Sequence, residues 1–147
     1  MSSDRKLFRA AVYAIIKQDD KVLMMRRYNT GWSDGMYTLP AGHIDDGETV
    51  LESMIREVKE ETGIEINPQD VDFVHVMQQE GDRSYFDFYF VINKWENEPE
   101  IIEPNKCDDL KWITIEELDS IPVLGNVRSA LNHIKNKVLI SDYQDAS

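Results

Sequence analysis

The chain reads as an α/β protein in which helices pack on a mixed sheet. Three observations carry that reading. The elements alternate as strand, strand, helix, strands, helix. The length of 147 residues fits one domain with room for a real core. An apolar content of 41%, with 10% aromatics, is that of a globular chain and excludes a disordered one.

The elements follow in order. Phe8 to Ile16 is apolar and partly β-branched, which predicts a strand. Asp19 and Asp20 make a turn, and KVLMMRRY, from Lys21 to Tyr28, makes a second strand and hence a hairpin. NTGWSDGMY is a loop broken at Gly31 and Gly35, and YTLPAG is a short extended piece ended by Pro40 and Gly42. The period then changes. Val50, Leu51, Met54, Ile55 and Val58 recur at three- and four-residue steps, the stripe of an amphipathic helix. Thr49 is its expected N-cap and Gly63 its C-terminal glycine. VDFVHVMQQE and RSYFDFYFVINKW are strands joined by a turn at Gly81-Asp82. In the second, Tyr85, Asp87 and Tyr89 alternate with Phe86, Phe88 and Phe90. The acidic loop ENEPEIIEPNKCDD leads to LKWITI, the expected last strand. A helical turn at IEELDS and a helix from about Asn126 to Leu139 complete the fold. The ordered core is expected over about residues 5–140, with a tail fraying from Ser141. With no repeat or linker in sight, residues 1–147 are expected to form a single domain.

Sixteen basic residues against 28 acidic ones give a net charge of −12. Such a chain repels nucleic acid polymers and anionic membranes. It still accommodates a small phosphorylated ligand, because a bound cation reverses the local sign. Cys107 stands alone, so no internal disulfide forms, which suits a cytoplasmic setting. A small half-buried residue is its expected role. No stretch resembles a signal peptide, and none approaches the ~20 apolar residues of a membrane span.

The chemistry concentrates in REVKEETG, Arg56 to Gly63. On a helix, Glu57, Glu60 and Glu61 fall within an arc of roughly 100°, beside the apolar stripe. Like charges at these spacings each cost roughly 0.2–0.5 kcal/mol. Something positive is needed to offset them. Arg56 is within reach, Glu48 precedes the helix, and Gly42 and Gly47 bend the chain around it. Clustered carboxylates either take up protons or hold a hard cation, and oxygen-only ligands suit Mg²⁺ or Mn²⁺. One Cys and three scattered His give no zinc spacing. A divalent ion beside spare carboxylates implies metal-assisted attack of water on phosphorus. For three acids alone, a solvated helix face or a protein-docking face stays open.

The wider spacing decides. GHIDDGETVLESMIREVKEETGI, Gly42 to Ile64, resembles the Nudix box. That box reads Gly, five residues, Glu, seven residues, Arg-Glu, an aliphatic, any residue, Glu-Glu, any residue, Gly, an aliphatic. Gly42, Glu48, Arg56, Glu57, Val58, Glu60, Glu61, Gly63 and Ile64 fill every fixed position. A chance match is on the order of one in 10⁸ windows.

The resemblance, to a MutT-like member, implies an α/β/α sandwich with a mixed central β-sheet. It implies hydrolysis of a nucleoside diphosphate linked to a group X. Glu60 and Glu61 would be metal ligands, the Gly42 carbonyl another, and Glu57 a ligand or the general base. Arg56 would hold the glutamates, and Glu48 would complete the network. Glu103 is the candidate for a ligand outside the box, with Glu80, Asp82 and Glu98 as alternatives. A plain loop acid is an equal reading of Glu103. Arg27 or Arg26 would contact phosphate, a surface pair being the alternative. Trp32, Tyr37, Phe86 and Phe88 are stacking candidates, although core packing suits most of them better. Asp108 or Asp109 would accept from a base amino group, and His43 receives no metal role. The implied cofactor is Mg²⁺ or Mn²⁺, and the implied partner is a small nucleotide; a homodimer is common in the family. EPNKCDDLKWITIEEL resembles a segment of small nucleoside-triphosphate pyrophosphohydrolases, which release pyrophosphate and a nucleoside monophosphate. A nucleotide-sugar or ADP-ribose pyrophosphatase and a non-catalytic nucleotide sensor are the alternatives.

Overall fold

The computed structural model describes residues 4–145. In chain order the elements are β1 (Arg9–Gln18), β2 (Lys21–Arg27), β3 (Tyr37–Thr38), β4 (Ala41–His43), α1 (Val50–Thr62), β5 (Val71–Glu80), β6 (Ser84–Ile92), β7 (Cys107–Thr114), α2 (Gly125–Lys135) and β8 (Ile140–Gln144). Short 3-10 turns occupy Pro68–Asp70 and Ile115–Asp119.

β1 organises the sheet. Its side chains alternate between two cores because successive residues of a strand point to opposite faces. Val12, Ala14 and Ile16 meet Met54 and Val58 of α1, together with Phe90 and Ile92. Ile15 faces the other way, into a core with Met77, Tyr89 and Val127, Ala130 and Leu131 of α2. The result is an α/β/α sandwich. The sheet runs β3-β2-β1-β6-β5-β8, with β4 added to β1 and β7 to β2. It is mixed: β1 pairs parallel to β6 and antiparallel to β4.

α1 is closed at both ends by local chemistry. The Thr49 hydroxyl accepts from the Glu52 amide, and the Glu52 carboxylate accepts from the Thr49 amide. Gly63 ends the helix at φ 78°, a left-handed conformation that favours glycine.

The expected β1–β2 hairpin is present, paired at its closed end, Lys17 with Val22 and Gln18 with Lys21. β2 finds its main partner in β7, seven residues of which it matches from Lys21–Thr114 to Arg27–Cys107. The last helix stops at Lys135 rather than Leu139, because Lys137 turns left-handed at φ 59° and sends the chain back. LKWITI is therefore not the last strand, and Ser141 to Gln144 do not fray. They belong to β8, which pairs parallel to β5 from Val76–Ile140 to Glu80–Gln144. Ala146 and Ser147, also expected in the frayed tail, lie outside the described residues. No helix among the described residues is long and apolar enough to cross a membrane.

β8 is pinned by His75. The imidazole is buried, with Nδ1 2.7 Å from the Val138 carbonyl and Nε2 2.7 Å from the Ser141 hydroxyl. Burial holds it below its ordinary value of 6.5, and nearby His133 lowers it further. As pH falls, the unfolded chain takes the proton first. The neutral-His75 contribution is complete above pH 6.5 and is lost as pH falls through the lower folded value. The melting-temperature advantage of wild type over His75→Gln should therefore shrink between about pH 7.5 and 5.5. An advantage that grows on acidification would contradict it.

Candidate active site

The acids of α1 meet their compensating charge in one guanidinium. Arg56 Nε donates to Glu48 at 2.7 Å, and Nη2 donates to the other Glu48 oxygen at 3.0 Å. Nη1 donates to Glu57 at 2.9 Å and to Glu60 at 3.3 Å. Nη2 also reaches the His43 carbonyl at 3.1 Å, which ties α1 to β4. Arg56, foremost through its bonds, and the Asp45 amide hold Glu48 below the usual carboxylate range. Glu57 is pushed the other way by burial, which outweighs the opposing pull of Arg56.

Glu61 stands apart from this pairing. Its carboxylate crosses to β4 and accepts the Ala41 amide at 2.9 Å. Burial, followed by the fields of Glu57, Glu103 and Glu60, pushes it up to about 8. Gly42, next along β4, lets the Glu57 carboxyl lie against the backbone. A Cβ at position 42 would fall 2.1 Å from Glu57 Cδ. Glycine is needed there for that contact.

No three of His, Cys, Asp and Glu among the described residues stand together as a ready ligand set. Arg56 explains this, since it draws Glu48, Glu57 and Glu60 onto itself. The residues nonetheless fit a hard cation. The donors are oxygen only, and Glu61 is an embedded acid within the field of three others, a deficit that positive charge would relieve.

Glu61 lies between two cavities. The larger, about 600 Å³, is bordered by Gly42, Glu61, Trp32, Asp87 and Asn126 among others. The smaller, about 440 Å³, takes in Glu61, Glu103, Arg26, Arg27 and Lys106. Arg27 borders both, held by the Trp32 carbonyl and the Thr30 hydroxyl, each at 2.8 Å. Its guanidinium lies 4.9 Å from the Trp32 ring centre. Arg26 is paired with Asp108 at 2.7 Å. Glu103 is 3.6 Å from Lys106.

Other sequence candidates fall elsewhere. Asp109 borders neither cavity, since its register opposite Arg26 aims its carboxylate at the Tyr37 hydroxyl, which donates to it. Glu80 is held by Lys6, Gln78 and Ser84 and brought down to about 2, first by the Gln78 bond. Asp82 borders the larger cavity, and Glu98 borders neither. Tyr37 belongs to the α2-side core, Phe88 packs on the α1-side core and Phe86 stacks on Phe8 at 4.2 Å, leaving Trp32 as the exposed aromatic wall. Tyr13, Gln79, Asp87 and Asn126 were not picked out as site residues, yet all four border the larger cavity. The one available signal was a lone acid, Asp87, in a strand of aromatics.

Comparison with known proteins settles the family. The NUDIX domain family matches residues 7–134.

The chain belongs to the Nudix family.

It is a Nudix hydrolase, a pyrophosphohydrolase. It is 29% identical over 113 residues to the uncharacterized Nudix hydrolase YvcI of Bacillus subtilis, covering 74% of this chain and 68% of that one. Phosphatase NudJ of Escherichia coli K12 is 28% identical over 120 residues, 82% of this chain and 75% of the other. An ADP-ribose pyrophosphatase of Methanocaldococcus jannaschii is 46% identical, but over 54 residues only, 37% of this chain and 31% of its own. The fold matches the crystal structure of a MutT NUDIX hydrolase from Burkholderia pseudomallei with a TM-score of 0.78, at 24% identity over 86% of this chain and 98% of that one. Nudix hydrolases generally use divalent metals and act on small nucleotides.

Two outcomes follow from this geometry. Gly42→Ala should displace the Glu57 carboxyl and lower kcat/KM by about 10²-fold, the scale of a 1 Å misplacement, with the fold intact by circular dichroism. Unchanged turnover would refute the contact. Glu61 has its folded value raised, so its stabilising contribution is present below its ordinary 4.5 and is lost as pH rises through about 8. In metal-free protein, the melting temperature of Glu61→Gln should gain on wild type from pH 5 toward pH 9. A constant difference would contradict the assignment.

Proposed function

We propose that the chain hydrolyses a nucleoside triphosphate to a nucleoside monophosphate and pyrophosphate, with Mg²⁺ held by Glu57, Glu60, Glu61 and the Gly42 carbonyl, and with Glu103 as a further ligand. The observation that carries this reading is the position of Glu61 between two unlike cavities. One has a polar end and an exposed aromatic wall, which suits a base. The other has Arg26, Arg27 and Lys106 and no aromatic side chain, which suits free phosphates rather than a second base.

A divalent cation there would neutralise phosphate charge and make a nearby water a better nucleophile. The chain supplies the rest. Arg56 fixes the orientation of Glu48, Glu57 and Glu60 through paired hydrogen bonds. Glu57, ligand or base, would take the proton of the attacking water in this reading. Water then adds to phosphorus as the P–O–P bridge breaks, and pyrophosphate leaves toward Arg27 and Lys106. Arg27, already braced by Thr30 and Trp32, meets the departing charge without reorganising. In this reading Arg26 supports that edge from its pairing with Asp108, and Asp109 acts indirectly by anchoring Tyr37.

A second reading has its own support. The 46% identical stretch shared with an ADP-ribose pyrophosphatase, and a likeness to the crystal structure of an ADP compounds hydrolase (TM-score 0.69, 26% identity, 90% of this chain and 74% of that one), favour ADP-ribose-type substrates. A non-catalytic nucleotide sensor loses ground to the complete box.

Incubation with Mg²⁺ and a panel of nucleoside triphosphates, nucleotide sugars and ADP-ribose, with products identified by mass, separates these. Triphosphates should yield monophosphate and pyrophosphate. Glu61→Gln should lose a factor on the order of 10²–10³, the scale for removing one electrostatic stabiliser. Turnover of ADP-ribose alone would transfer the assignment to the second reading. Mg²⁺ or Mn²⁺ at a hundredfold excess over its Kd should stabilise the wild type by about 2.7 kcal/mol. The absence of any thermal shift at millimolar metal would argue against the site.

A further inference from the structure

The connection from β2 to β3, residues 28–36, is folded around one guanidinium. Gly35 donates its amide to the Arg27 carbonyl at 2.8 Å, and the Arg27 amide donates to the Met36 carbonyl at 2.9 Å. Between those bonds Asn29 and Ser33 hold left-handed conformations, at φ 53° and 50°, which residues with a side chain rarely adopt. Something must hold the loop in this shape, and Asp34 does so. Its Oδ1 accepts the Thr30 hydroxyl at 2.6 Å and the Thr30 amide at 3.0 Å. Its Oδ2 accepts the Gly31 amide at 3.1 Å. These bonds, the one from the Thr30 hydroxyl foremost, hold the carboxyl below its ordinary range.

The chain of bonds continues to Arg27. With its proton turned to Asp34, the Thr30 hydroxyl presents lone pairs, and Arg27 Nη2 donates to it at 2.8 Å. Arg27 also differs from the other cations that border the smaller cavity. Arg26 is paired with Asp108 at 2.7 Å, and Lys106 lies 3.6 Å from Glu103. Arg27 forms no ion pair among the described residues. Its Nε and Nη2 are engaged by Trp32 and Thr30, and Nη1 makes no hydrogen bond among the described residues. A carboxylate bonded directly to this fork would orient it and also neutralise it. A carboxylate acting through a hydroxyl orients it and leaves the charge for an anion.

We propose that Asp34 is a positioning residue for the phosphate end of the substrate: through the Thr30 hydroxyl it fixes the Arg27 fork toward the smaller cavity while leaving the guanidinium charge unpaired. This rests on the reading that places the leaving pyrophosphate in that cavity, which Asn29 and Thr30 of the same loop also border. The proposal has a sign that charge alone does not give. An acid near an anion site repels the anion, so by Coulomb's law its removal strengthens binding. If Asp34 positions Arg27, its removal weakens binding, because the anion must then order a free arginine.

The test is the affinity of the full chain for pyrophosphate with Mg²⁺, measured by calorimetry. Asp34→Ala should weaken binding about 3- to 10-fold, the ordering cost of one long side chain. Thr30→Val should do the same. Thr30→Ser and Asp34→Asn, which keep the hydroxyl and the Oδ1 acceptor, should recover most of the loss. In an Arg27→Ala background, itself weaker, adding Asp34→Ala should cost less than about twofold, since the two act as one unit. Tighter or unchanged binding in Asp34→Ala overturns the inference, as does an equal loss with and without Arg27, the mark of a merely structural role. An Arg27→Ala variant with wild-type affinity overturns it too. Triphosphate hydrolysis with undiminished pyrophosphate affinity in Asp34→Ala removes the inference and leaves the proposed reaction. The expected losses in a wild type that turns over no triphosphate support the positioning role and remove the reaction.

Discussion

The arrangement depends on one guanidinium among carboxylates. A chain with net charge −12 gathers Glu48, Glu57, Glu60 and Glu61 at one end of the sheet, where mutual repulsion disfavours them. Arg56 makes this possible. It spans Glu48 with two nitrogens, reaches Glu57 and Glu60 with a third contact direction, and joins the His43 carbonyl. The planar fork fixes the carboxylates in direction as well as in number, which a lysine could not do. Arg56 makes no bond to Glu61. That acid is held by a single β4 amide and is left with a charge deficit. One part of the cluster is satisfied by the protein, while the other is not.

Backbone proximity is the second constraint. β4 is only three residues long, yet it pairs with β1 and touches α1 through Ala41, Gly42 and His43. Each strand residue does a separate task. Ala41 gives its amide to Glu61, Gly42 gives space to Glu57, and His43 gives its carbonyl to Arg56 and to the Ser53 hydroxyl. The carboxylates are thereby referenced to the central sheet rather than to a mobile loop, the rigidity that a reaction centre needs.

What the sequence disclosed follows from how local each feature is. α1 was readable because its stripe, its N-cap Thr49 and its terminal glycine all lie within fifteen residues. The Nudix box was readable because it is a spacing pattern within one short stretch, from Gly42 on β4 through α1 to Ile64 just beyond it. β8 was not, since five residues of unremarkable composition become a strand only through pairing with β5, more than sixty positions earlier. Asp109 shows what spacing leaves out. Its carboxylate accepts from Tyr37 because the β2–β7 register sets it opposite Arg26, a pairing that depends on two distant strands. Asp87 shows the converse. Alternation with Phe86 and Phe88 marked it as sharing a face with Tyr89. That a cavity opens onto that face was not legible, because Asn126, Gln79 and Tyr13 come from three separate elements.

Two acids that border the larger cavity share one physical feature. Glu61 and Asp87 are both acids raised by burial, to about 8 and about 7, and both lack sufficient donors of their own. Each therefore lowers stability as pH rises through its folded value. A positive charge or a hydrogen-bond donor brought beside either acid would favour the ionised form and offset that loss.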